Sequence, residues 1–448
     1  MDHSNIRISL IALGCSKNLV DAECMVKNLK DAGFDVVNDI DNTDVVIINT
    51  CGFIESAKKE AIDTILSCAD LKEEGKISKI VVTGCLSQRY PDDILKEMPE
   101  VDAVVGTAHY QDIVSVIDML VDEEKIKCVS EAGSLEHLDP DKEVSTTGFA
   151  WIKIGEGCLH RCAFCAIPLI RGSLHSRPLE SIVEEAKILA DKGYRELVLA
   201  AQDTTNYGID IYKKRATAEL IHKISGIEGV ELIRVMYGYM DGITDELIDE
   251  VKNNPKAAHY FDIPIQHGSD RILKAMRRAD TEEMITKKLD LIRENIPDAI
   301  IRTTVMVGFP GETEEDFELL KENLKKWRFD RLGCFMFSPE EGTPAFDMPD
   351  QVDEIVKKRR FEEIYELQRQ ISRENTKRRV GTETVVTIDS ISEDGIFYKG
   401  RSYGEAPEDD PVIYVLVPDE EYGELEIGRR YPVKIVDSSD YDMTGVII

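Results

Sequence analysis

A chain of 448 residues, 42% of them hydrophobic, can build ordinary globular cores, and its length corresponds to about three domains. Its 86 acidic residues outweigh 55 Lys and Arg, a formal net charge of −31 that argues against broad phosphate-backbone binding and favours a basic partner. No apolar stretch reaches the ~18 residues of a membrane span. The N-terminus, MDHSNIRISL, lacks the basic and apolar regions of a secretion signal, so a cytoplasmic chain is expected, with its ten cysteines as ligands or core thiols rather than disulfides.

Residues 1–140 alternate strand candidates (IRISLIAL, DVVIINT, KIVVTG, DAVVG) with helix candidates over 18–30 and 56–74. That alternation predicts a doubly wound α/β domain with a parallel sheet. Function gathers outside the carboxyl ends of such strands. Cys15, Cys51 and Cys85 each follow one of these runs, at equivalent topological positions that would bring three thiols into one crevice. Cys24 and Cys68 lie mid-helix and read as core thiols, as do Cys128 and Cys334 in strand-like runs.

Residues 145–379 hold six further strand candidates: FAWIKIGE, ELVLAAQ, LIRVMYG, YFDIPIQ, IRTTVMVG and RLGCFMF. Alternating with helices, they predict a partial six-stranded (β/α) barrel, short of the eight units of a closed one. After the first strand comes GEGCLHRCAFCAIP, placing Cys158, Cys162 and Cys165 at C-x3-C-x2-C spacing. Thiolates hold iron–sulfur clusters, usually four to a four-iron cluster. With three, one iron stays open to a non-protein ligand. A zinc site or three buried thiols is the alternative, although no fourth His or Cys stands at finger spacing. His160 lies between two of the cysteines and is poorly placed as a fourth ligand. Gln202, Asp203, Gln266 and His267 follow other strands at the same face. A charged helix is expected from Gln351 to Arg379. Residues 380–448 change to short β-branched runs, the pattern of a small antiparallel β-barrel of about five strands. This last segment carries 16 acids and 5 bases, a net −11, which suits a basic protein partner better than RNA.

The cysteine loop resembles that of radical S-adenosylmethionine enzymes, which share its spacing and an aromatic residue before the last cysteine, here Phe164. The whole chain resembles the methylthiotransferases, which join a three-cysteine N-terminal domain, a radical S-adenosylmethionine barrel and a C-terminal TRAM domain. The resemblance implies two 4Fe-4S clusters, one on Cys158, Cys162 and Cys165 and a second on Cys15, Cys51 and Cys85. It also implies S-adenosylmethionine as cofactor, with Phe164, Gln202 and Asp203 as expected contacts. GCSKNLVDAE, GRSYGEAPEDD and DYDMTG resemble the branch that modifies an aspartate of small-subunit ribosomal protein S-twelve. The branch acting on transfer-RNA adenosine typically reads GCQMN at the first cysteine.

The implied reaction takes a hydrogen from the aspartate β-carbon with a 5′-deoxyadenosyl radical, because that hydrogen is beyond a side-chain base. A methylthio group then replaces it. The implied partners are the ribosomal protein or the ribosome and an electron donor, with no membrane and no nucleic acid as primary substrate. One departure is VMYGYM after the third barrel strand, where the branch usually has a proline-containing tyrosine motif; it leaves the contact roles of Tyr237 and Tyr239 open. The alternatives are a transfer-RNA methylthiotransferase, a non-catalytic iron–sulfur carrier and a flavin-binding module.

Overall fold

Strands form where the sequence concentrates β-branched residues, and a helix after most of them returns the chain to the same edge, so neighbours pair in parallel. The computed structural model describes residues 3–120, 125–417 and 423–448. In it, β1 (Arg7–Ala12), β2 (Asp35–Val36), β3 (Thr43–Thr50), β4 (Ile77–Gly84), β5 (Ala103–Val105) and β6 (Ile126–Cys128) form one sheet, ordered β2-β1-β3-β4-β5-β6. Its strands alternate faces with period two. Val45 and Ile47 of β3 pack with Met25 and Leu29 of α1 (Ser16–Asp31). Val46 and Ile48 pack with Ala61 and Ile65 of α2 (Glu55–Glu73) on the other face. Two cores, one per face, make the sheet doubly wound. The edge strands β2 and β6 have only two and three residues, too few to show a periodic pattern.

The second segment begins with β7 (Phe149–Lys153), followed by a short antiparallel ribbon of β8 (Gly155–Glu156) and β9 (His175–Ser176). Then come β10 (Glu196–Ala200), β11 (Leu232–Val235), β12 (Tyr260–Asp262), β13 (Ile300–Val307) and β14 (Arg331–Met336). Parallel sheets β11-β10-β7 and β12-β13-β14 meet through a single bridge, Ile233 to Ala257, to give a six-strand arc. The outer residues Ala150 and Ile152 pack on the surrounding helices. The inner residues Trp151 and Val198 pack against Val20 and Cys24 of α1 and against Ala406 near the C-terminus. The open arc is thus filled from both flanking segments.

The helix Glu354–Arg379 lies along the arc, with Gln368 donating to the Phe329 carbonyl (2.9 Å). After it, β15 (Glu383–Ile391), β16 (Tyr398–Arg401), β17 (Ile413–Leu416), β18 (Arg430–Ser438) and β19 (Met443–Ile447) close a barrel in the order β15-β16-β17-β19-β18. Its seams are antiparallel except β17–β19, which is parallel. The reason is topological: β18 intervenes in sequence and reverses the chain between those two strands. Buried ion pairs fix this barrel to the arc, with Glu196 between Arg234 (3.0 Å) and Arg401 (2.8 Å), and Glu405 on Arg331 (3.1 Å) and Arg379.

Candidate functional site

Cys15, Cys51 and Cys85 leave the first sheet at its carboxyl edge, where open α/β sheets bind ligands. Thr50 pairs with Gly84 at the ends of β3 and β4, so Cys51 and Cys85 are the next residues on neighbouring strands. β1 and β3 flank the point where strand order reverses, which puts Cys15 beside them. Gly14 has φ +90°, and a Cβ there would lie 2.6 Å from the Cys51 Cβ, so only glycine allows the two turns to approach. Burial pushes the Cys51 thiol up to about 12 and raises that of Cys85. At Cys15 burial is outweighed by the Lys17 ammonium, the Asn18 backbone N–H and Arg171, and the thiol falls below its ordinary range.

The loop after β8 folds back on itself. Cys158 N–H donates to the Gly172 carbonyl (3.2 Å) and Cys165 N–H to that of Cys162 (3.1 Å). Ala163 is clamped from both sides, donating to Met276 (2.9 Å) and accepting from Ala345 (2.8 Å). At Gly157, φ +73°, a Cβ would come within 2.1 Å of the Ser173 carbonyl oxygen. Cys158, Cys162 and Cys165 all line a cavity of about 410 Å³, together with Arg161 and Arg277. Burial raises the Cys158 thiol to about 12 and also raises that of Cys165, with Cys162 adding to both. His160 Nε2 meets Asp203 Oδ2 at 2.8 Å, and its ring stacks on Tyr239 with centroids 3.5 Å apart.

The two triads adjoin. Cys85 packs in a small buried cluster with Ala166 and Ile170, and Ala166 directly follows Cys165. The segment after β11 touches both crevices: Tyr237 OH lies 3.3 Å from Ser16 Oγ, next to Cys15, and Tyr239 OH lies 3.6 Å from Cys162 Sγ. Both tyrosines of VMYGYM thus reach residues of the two crevices.

Between the crevices lies an ionic cluster that the sequence reading missed. Arg171, 1% exposed, donates to Cys85 Sγ (3.3 and 3.4 Å), Asp21 (2.9 Å), Glu156 (2.8 Å) and Asn18 Oδ1 (2.5 Å). Asp21 also binds Lys153 (2.6 Å) and His137 (2.7 Å). Lys153 and Arg171 outweigh burial and hold the Asp21 carboxyl well below the usual range. Arg171 and Lys153 likewise outweigh burial at Glu156 and lower its carboxyl. The available signal was a lysine inside the apolar run FAWIKIGE, which an apolar core does not accept unpaired.

Gln202 donates to Glu156 Oε1 (2.6 Å), and its own Oε1 is buried with no partner among the described residues. Asp203 is fully engaged: Oδ1 accepts from Thr205 N–H (3.0 Å), Thr205 Oγ1 (2.6 Å) and Asn206 N–H (3.3 Å), and Oδ2 from His160 and Asn206 Nδ2. Phe164 packs behind the loop on a core of Ala163, Met276, Phe309 and Phe337. His267 is a core residue, accepting from Ser269 N–H at 2.9 Å.

Three family models match the chain: Uncharacterized protein family UPF0004 over residues 7–106, Radical SAM superfamily over 152–324 and TRAM domain over 380–448. Full-length relatives decide the family. The ribosomal protein uS12 methylthiotransferase RimO of Acetivibrio thermocellus is 45% identical over 99% of this chain and 98% of its own length. RimO of Lachnoclostridium phytofermentans is 46% identical, covering 98% of this chain and 99% of its own. The chain belongs to the RimO family of methylthiotransferases. RimO of Bdellovibrio bacteriovorus, at 44% identity over 99% and 98% of the two chains, extends the same likeness. Beyond the RimO family, the radical S-adenosylmethionine methyltransferase TsrM of Kitasatospora setae shares the fold, with a TM-score of 0.58 at 14% identity over 77% of this chain and 75% of its own.

Proposed function

We propose that this chain is an enzyme that attaches a methylthio group to the β-carbon of an aspartate in ribosomal protein uS12, using S-adenosylmethionine and two four-iron clusters. In this reading residues 1–140, 145–379 and 380–448 are the three working units. Cys158, Cys162 and Cys165 would hold one cluster, and Cys15, Cys51 and Cys85 the other. The donor chemistry supports this: each site offers three soft cysteine sulfurs, which as thiolates are the ligands that iron–sulfur clusters take. A single zinc, about 2.3 Å from each sulfur, needs sulfurs about 3.8 Å apart. Neither triad is gathered within 4.8 Å, whereas His109, Asp112 and Cys128 are.

When bound, the clusters and S-adenosylmethionine supply hydrogen abstraction from an unactivated carbon and a methylthio group to replace that hydrogen. The chain's own residues position and shield. Arg171 places positive charge beside the triad of Cys15, Cys51 and Cys85, suited to an anionic cluster. Gln202 Oε1, left without a partner among the described residues, would be free to accept from a donor of the cofactor, and Phe164 backs the loop. Asp203 acts through His160, which it holds against Tyr239.

The observation that carries the reading is the abutment of the two triads through Cys85 and Ala166, joined again by Tyr237 and Tyr239. A carrier of clusters needs no such meeting; a reaction that takes hydrogen at one site and adds sulfur from another does. An electron donor completes the partners. Among the described residues no helix is long and apolar enough to cross a membrane, and a substrate in the ribosome favours the cytoplasm. The test is mass spectrometry of uS12, and of transfer RNA, from cells with and without the gene. A methylthio mass confined to uS12 and lost with the gene is expected; loss from transfer RNA instead would overturn the substrate.

A further inference from the structure

Lys17 differs from the charged residues around it. Asp21, Lys153, Glu156 and Arg171 are all paired with one another, and Asp409, the acid whose charge reaches Lys17, lies 3.4 Å from Arg302. The Lys17 ammonium sits 3.3 Å from the centroid of the Tyr237 ring, with no carboxylate at ion-pairing distance among the described residues. In a chain with 86 acids that is a conspicuous omission. The Cys15 thiol shares this charge but is committed as a cluster ligand in the reading above, and a partly buried ammonium with no carboxylate partner costs desolvation energy that a ring face only partly offsets. An arriving anion would complete the balance.

A second observation points the same way. Tyr237 has φ +61°, a left-handed conformation that a bulky residue rarely adopts. It is held there by its N–H donating to Asp262 (2.9 Å) and its carbonyl accepting from Thr204 N–H (3.0 Å). Backbone strain of this kind, about 1–3 kcal/mol, persists where the surroundings enforce it and clusters at working sites. Here it keeps the ring under Lys17 and the hydroxyl 3.3 Å from Ser16 Oγ, beside Cys15.

We propose that Lys17 binds the side-chain carboxylate of the target aspartate and so holds its β-carbon where the two thiol crevices meet. This rests on the reading of the substrate given above. The ammonium has three donors, so it can keep its contact with the ring while donating to a carboxylate. A neutral asparagine at the same place forgoes the charge-assisted bond.

The test uses full-length reconstituted enzyme, as wild type and as Lys17→Met, Lys17→Gln and Lys17→Arg. Each is given free uS12 and uS12 whose target aspartate is replaced by asparagine. Removing one partner of a desolvated charge pair weakens binding by roughly 30-fold or more. Wild type should show a preference of that order for the aspartate protein, both in binding without reductant and in methylthiolation. The Lys17→Met and Lys17→Gln enzymes, with iron content and melting midpoint near wild type, should lose the preference yet still cleave S-adenosylmethionine. Lys17→Arg should keep most of it. If either uncharged variant discriminates as wild type does, Lys17 is not the carboxylate site. If wild type methylthiolates neither protein, the substrate reading fails, and this assignment fails with it.

Discussion

At Arg171 a guanidinium with almost no solvent meets two carboxylates, an amide oxygen and a thiol. Taking it away leaves Asp21 and Glu156 facing each other across a buried gap, with Lys153 between them and His137 on Asp21 as the remaining partners. Breaking such a group costs about 3–5 kcal/mol. Arg171→Leu should therefore lower the unfolding free energy by that amount, read from the denaturant midpoint at constant m-value; a loss below about 1 kcal/mol would show that the cluster is not a structural tie. Residues of this sort are where the sequence was least readable. The six cysteines stand out by spacing and strand position, but which charge meets which is decided by parts of the chain more than a hundred residues apart, as with Asp21 and Arg171. Asp203, expected from its place after a strand as a cofactor contact, has its oxygens engaged by the turn it begins and by His160, partners that its position alone did not mark.

Among the elements, the closing barrel is held by Glu405. Burial works to raise its carboxyl, but Arg379, Arg331 and Ser402 outweigh burial and lower it to about 2, against an ordinary 4.5. The folded value is the depressed one, so this contribution is complete above pH 4.5 and is lost as pH falls from there towards 2. A Glu405→Gln variant should be less stable than wild type by a constant margin between pH 5 and 7. That margin should shrink below pH 4.5, as measured by chemical denaturation across the range. A margin unchanged at pH 3 would mean that Glu405 does not titrate as a latch. Strands and helices were legible here because period two and period 3.6 are written locally: β3 and α2 lie within a few residues of where their patterns place them. The parallel seam of β17 and β19 was not, since pairing partners separated by another strand leave no local mark.

On the scale of the whole molecule, two thiol sites with separate ligands should be separable by mutation. Replacing Cys15, Cys51 and Cys85 together by alanine should leave about half the iron and allow reductive cleavage of S-adenosylmethionine, with no methylthiolated uS12. Gly157 and the clamps on Ala163 hold the other loop without these residues. Iron analysis and the ratio of 5′-deoxyadenosine to modified uS12 check this, and a folded variant that still modifies uS12 would refute the division of labour. The changes of pattern near residues 140 and 380 marked three segments. Their interlocking was hidden, because Val20, Trp151 and Ala406 each look like an ordinary core residue of its own segment.

Because Cys85 rests on the residue that follows Cys165, a side chain lodged between the crevices need not leave one to reach the other. No swinging arm or second docking is called for. In the proposed reaction, hydrogen removal and sulfur delivery would then share one residence of the ribosomal protein on the enzyme. A half-finished substrate would have no interval in which to be released, and the partner would be met once for each modification.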